Sequence, residues 1–160
     1  MSWAPVDPER LFEVALVQDA GRGALGVAAV RVLAGDGRAR PWMALTIENR
    51  PLAGTAARFA AALGIEGPLH LLFQEAEGVY RVLDVQAGFP MWIEVVRKGG
   101  PNLVEMAVRQ ALGEPFEGPG GGGLPATPAG ILFSQTAEDI VIDPAHPASK
   151  GVFGLCENHD

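Results

Sequence analysis

Cysteine is nearly absent: Cys156 is the one thiol in 160 residues. An internal disulfide is therefore excluded, so packing has to hold the fold, and the chain suits a reducing compartment. Cys156 itself reads as a small tail residue, with no activating motif around it. Long hydrophobic runs are missing too. No stretch of about 18 uninterrupted apolar residues occurs, and the opening "MSWAPVDPER" has no basic segment followed by an apolar one. The expectation is a cytoplasmic protein with no membrane association. Positive charge is scarce: 12 Lys and Arg stand against 19 Asp and Glu, giving a net charge of −7. No basic cluster exceeds two neighbours, so there is no phosphate-backbone footprint and nucleic acid is not an expected partner.

What the chain does contain is 48% hydrophobic residues. At this length that suffices for one globular domain burying roughly two thirds of its unfolded surface. Glycine and proline are frequent, but only "EPFEGPGGGGLPATPAG", residues 114 to 130, concentrates them into a connector. This divides the chain into a main unit over 1 to 113, the connector, and an extension with a tail over 131 to 160.

"LFEVALVQ" (11 to 18) and "LGVAAVRVLA" (25 to 34) have strand length and composition, and the glycines of "DAGRGA" between them suit a hairpin. "WMALTI" (42 to 47) adds a third strand. Pro51 and the spacing of Leu52, Ala56, Phe59, Ala60 and Leu63 then predict an amphipathic helix ending at Gly64. "LHLLFQ" (69 to 74) and "VYRVLDVQ" (79 to 86) form a second hairpin around "EAEG". "PMWIEVVRK" (90 to 98) and "PNLVEMAVRQAL" (101 to 112) read as helices, the second ending at Gly113, and "ILFSQ" with "DIVIDP" as a final strand pair. Antiparallel hairpins with helices between them predict an α+β fold: an antiparallel β-sheet with helices packed mainly on one face.

Residues 66 to 113, "EGPLHLLFQEAEGVYRVLDVQAGFPMWIEVVRKGGPNLVEMAVRQALG", resemble the C-terminal half of an ATP-grasp domain of the carbamoyl-phosphate-synthase-like type. That family has a strand opening near Gly-Pro and a second strand carrying Glu-x-Asn-x-Arg. Phe-Pro with a helical segment follows, then Gly-x-Asn and a helix ending in Leu-Gly. Residues 11 to 65 resemble the preceding hairpin, strand and helix of the same lobe, and residues 114 to 160 a C-terminal extension. The likeness implies an ATP-grasp C-terminal lobe, in a family that uses Mg-ATP to phosphorylate a carboxylate before an amine attacks. Carboxylates that hold the metals supply the charge neutralisation which that chemistry requires.

Carried over position by position, the first-strand ligand falls at Leu72, the Glu at Asp84, the Asn at Gln86 and the Arg at Gly88. Leucine offers no lone pair. Asp84 is one methylene shorter than Glu and Gln86 one longer than Asn, which moves each oxygen by about 1 Å. Gly88 removes a fixed cation. The basic residues before Leu52 are all arginines, so the family's phosphate-holding lysines have no counterpart there, and nothing upstream corresponds to the other lobe. The resemblance thus implies a truncated, degenerate relative in which Asp84 and Gln86 mark the remnant of a metal site, with no catalytic residue assigned.

Other candidates carry less. "GPGGGG" (118 to 123) lacks the Lys-Ser/Thr and helix of a phosphate loop. His70 on its strand reads as structural, His146 lies between prolines, and "CENHD" at the tail falls short of a metal centre. Phe89 and Trp92 are either core residues of a helix–sheet interface or exposed anchors for a partner. The function expected is a non-catalytic binding or assembly module, a pseudoenzyme acting through self-association, such as a homodimer, or through a protein partner. It would need no cofactor as an isolated chain. The alternative is the metal and nucleotide half of a split carboxylate-amine ligase that uses Mg-ATP together with a separately encoded lobe.

Overall fold

A computed structural model describes residues 7–35, 41–97, 100–114 and 129–135. The connector between 115 and 128, "DIVIDP", His146, Cys156 and the tail lie outside the described residues.

A 3₁₀ turn at Pro8–Arg10 leads into β1 (Leu11–Asp19), followed by β2 (Gly23–Gly35) and β3 (Pro41–Thr46). α1 (Arg50–Leu63) precedes β4 (Gly67–Ala76) and β5 (Val79–Ala87). Then come α2 (Ile93–Val96), α3 (Leu103–Ala111) and β6 (Leu132–Ser134). The six strands form one antiparallel sheet in the order β5-β4-β1-β2-β3-β6. β1 is central, so both of its backbone edges are paired.

Turn and cap chemistry sets the element limits. At the β1–β2 turn the Asp19 carboxylate accepts the backbone N–H groups of Gly21 and Arg22 at 3.0 and 2.9 Å and meets the Arg22 guanidinium at 3.0 Å. The Arg22 side-chain hydrogen bond, reinforced by the Arg22 backbone N–H, holds that carboxyl below its ordinary range. Asn49 caps α1 by accepting the Leu52 N–H at 3.0 Å, and Gly64 closes the helix in the left-handed region at φ 65°. Asn102 caps α3 through the Glu105 N–H at 3.1 Å. The second helix is much shorter than its sequence suggests. Ile93, Val95 and Val96 are β-branched, and the residue at the N-cap, Trp92, makes no side-chain cap bond, so only one turn forms.

The α+β antiparallel architecture is the one the sequence implies, but the helices do not gather on one face. α1 packs through Leu52, Ala56 and Ala60 on Val14, Leu16, Val27, Ala29, Leu69, Leu71 and Phe73. On the opposite face, Trp92, Val96, Leu103 and Met106 cover Ala15, Val17, Ala28, Val30 and Ala44. The physical reason is that β1 and β2 are apolar on both sides of the pleat, so each face needs a cover. Small residues let α3 approach closely. A Cβ on Gly26 would lie 2.7 Å from both Leu103 Cδ2 and Met106 Sδ. Gln110 Nε2 fixes the helix further by donating to the Gln18 carbonyl at 2.6 Å.

Candidate functional site

The β4–β5 hairpin turns through Glu77 and Gly78, at φ 53° and 77°, as a two-residue connection with two left-handed residues requires. Its register places Leu72 opposite Asp84 and His70 opposite Gln86, with Leu83 as the extra residue of a bulge. On the other side of β4, Glu13 lies opposite Leu72 and Ala15 opposite His70. Directly opposed residues share a face. Two rows therefore run across three strands, Glu13–Leu72–Asp84 and Ala15–His70–Gln86, on the face that α2 and α3 cover.

Of the positions transferred from the sequence, Leu72 and Asp84 are opposed and Gln86 lies two residues on from Asp84. Their chemistry is altered. Leu72 is 7% exposed and packs with Leu11 and Val32, so the middle of the first row is hydrocarbon. Asp84 and Gln86 are exposed and bonded to each other: Gln86 Nε2 donates to Asp84 Oδ2 at 2.7 Å, while Asp84 Oδ1 accepts the Val85 N–H at 2.9 Å. Both carboxylate oxygens thus already have protein donors. Gly88 takes φ 117°, where a side chain is strained whatever space surrounds it. An arginine at this position would require a different backbone.

Magnesium takes hard oxygens in octahedral array and sits against phosphates that need cations. One carboxylate, one amide, a leucine and a glycine fall short of that set. Among the described residues no group of three or more His, Cys, Asp or Glu is arranged to hold a metal.

Glu13 is the residue the sequence reading missed. It is fully buried, and its Oε2 accepts the Trp92 indole N–H at 2.5 Å across 79 positions of sequence. His70, also buried, places Nε2 3.1 Å from the same oxygen. That contact lies outside hydrogen-bond directionality, so His70 Nε2 and Glu13 Oε1 make no hydrogen bond among the described residues. The His70 and Trp92 rings meet edge to face with centroids 6.5 Å apart. A signal was present in the sequence: Glu13 interrupts the otherwise apolar "LFEVALV", and a charge inside a doubly covered strand has to be buried. Trp92 is consequently a core residue rather than an exposed partner anchor, because its ring fills the helix–sheet interface and its N–H is satisfied inside. Phe89 is half-buried against the same cluster.

The cluster orders the 89–96 segment on the sheet. It presents no hydroxyl or thiol nucleophile beside a base, which acyl or phosphoryl transfer through a covalent enzyme intermediate would require.

No protein-family model matches the sequence, and no curated protein sequence matches it. Solved structures do match. N5-carboxyaminoimidazole ribonucleotide synthetase from Thermus thermophilus aligns at a TM-score of 0.54 with 18% identity, over 77% of this chain and 34% of that one. The biotin carboxylase domain of a thermophilic 2-oxoglutarate carboxylase aligns at 0.53 with 12% identity, over 71% and 27%. A single-chain, multi-domain long-chain acyl-CoA carboxylase aligns at 0.52 with 19% identity, over 67% and 12%. The chain therefore spans about a third or less of the length of these structures. At these identities the likeness is one of fold: this chain has the fold of one part of these structures.

Proposed function

We propose that this chain is a non-catalytic assembly module, an ATP-grasp-like lobe whose role is self-association. The observation that carries the reading is the ligand row itself. A buried leucine occupies the place of an oxygen donor, and the remaining carboxylate is held by its neighbours' N–H groups. Nucleotide-dependent ligation needs charge neutralisation at the phosphates, and this row has lost the groups that would supply it.

Assembly is supported from the other direction by apolar exposure. Val104, Val108 and Leu112, at i, i+4 and i+8 on α3, are 38%, 53% and 67% exposed, and a continuous apolar row of this kind tends to be covered by association. Light scattering on the purified chain should return a mass above that of the 16.8 kDa protomer. A monomer at every concentration counts against the proposal.

One observation favours a second reading. Asp84 and Gln86 remain side by side and exposed on the face where the family places its ligands. A separately encoded lobe could then complete a carboxylate-amine ligase using Mg-ATP. Calorimetry with magnesium and ATP in the presence of a co-purifying protein separates the two, since saturable heat in that mixture belongs only to the split enzyme.

A further inference from the structure

Resting on the assembly reading, we infer that the outer face of α3 is the self-association surface and that its occupant is α3 of a second copy, packed antiparallel about a two-fold axis near Val108. α3 turns Leu103 and Met106 inward to the core. One row on its other side, Val104, Val108 and Leu112, is 38%, 53% and 67% exposed. The spacing is i, i+4, i+8, so the three side chains form a continuous stripe along the helix.

Charge placement supplies the reason for a second copy. Glu105 and Arg109 lie beside the stripe, paired with each other at 2.8 Å and both about half exposed. A two-fold axis at Val108 reverses the helix direction and keeps that flank on the same side. Each Glu105 then comes alongside Arg109 of the partner subunit, Val108 meets its own copy, and Val104 faces Leu112 of the partner subunit. The stripe is thereby self-complementary in both shape and charge, as an isologous interface demands. Ala111, exposed on the opposite flank, allows close helix approach.

The outer edge of β5, unpaired among the described residues, is the competing surface, and it is guarded. It carries a bulge at Leu83, the charges of Arg81 and Asp84, and an Asp84 side chain that already occupies the Val85 N–H. These are the devices by which edge strands avoid addition.

Sedimentation equilibrium of the whole chain tests the inference. Val108→Glu should raise the dissociation constant about 30-fold or more, the effect expected for charging the centre of an interface. Arg109→Glu should weaken association about tenfold by setting like charges together. The double variant Glu105→Arg/Arg109→Glu should restore it, and because the swap also restores the pair within α3, urea unfolding of each variant separates a change in helix stability from a change in association. Circular dichroism of each variant reports retained folding. If Val108→Glu leaves association unchanged, or the double variant gives no rescue, the α3 surface is overturned while the assembly reading stands. A wild-type monomer at all concentrations overturns both.

Discussion

Glu13 is the residue on which the second face depends. A carboxylate removed from water costs several kcal/mol unless it is bonded or paired, and here the Trp92 indole and the His70 ring surround one of its oxygens. Glu13→Ala leaves the Trp92 N–H buried without a partner, and urea unfolding should show a loss of roughly 1–3 kcal/mol. Glu13→Gln retains an acceptor for the indole while removing the charge, and its loss should be distinctly smaller. Asp19 gives a different signature. Its carboxyl titrates lower when folded than when unfolded, so its contribution is fully present above the ordinary carboxylate range, near 3.8, and is lost as pH falls through the lower folded value. The acid limb of a stability–pH curve should flatten in Asp19→Asn, with neutral behaviour otherwise similar in shape.

At the scale of elements, α3 sits close to the sheet because Gly26 has no side chain. Gly26→Val would drive a branched side chain into Leu103 and Met106 and should cost roughly 1–3 kcal/mol by chemical denaturation, with near-ultraviolet circular dichroism reporting altered packing around Trp92. Gly88→Arg, which recreates the family's residue at that position, meets a backbone at φ 117° and should destabilise by about 1–3 kcal/mol rather than create a phosphate site. Elements whose limits are written in local chemistry were legible from sequence. Pro51 and Gly64 delimit α1, and Gly78 turns the second hairpin. Leu72, Asp84 and Gln86 were singled out through the family resemblance alone, and their cross-strand partners come from the hairpin register. Two features depend on contacts between distant residues and were not legible, the bond from Glu13 to Trp92 and the division of helices between two faces, whereas the shortening of α2 to one turn has a local cause in its β-branched run.

At the scale of the molecule, the chain has the fold of part of its structural neighbours, with a buried Leu72 opposite an Asp84 that is bonded to Gln86. Among the described residues no helix is long and apolar enough to cross a membrane. In the proposed assembly, α3 of a second copy covers the exposed row Val104, Val108 and Leu112. The most direct test of the central claim is a titration of the purified chain with magnesium and ATP, followed by calorimetry and by thermal unfolding. A ligand that binds only the folded state must stabilise it. The account predicts no saturable heat and no shift in the unfolding midpoint; a saturable, magnesium-dependent shift that disappears in Asp84→Ala would contradict it.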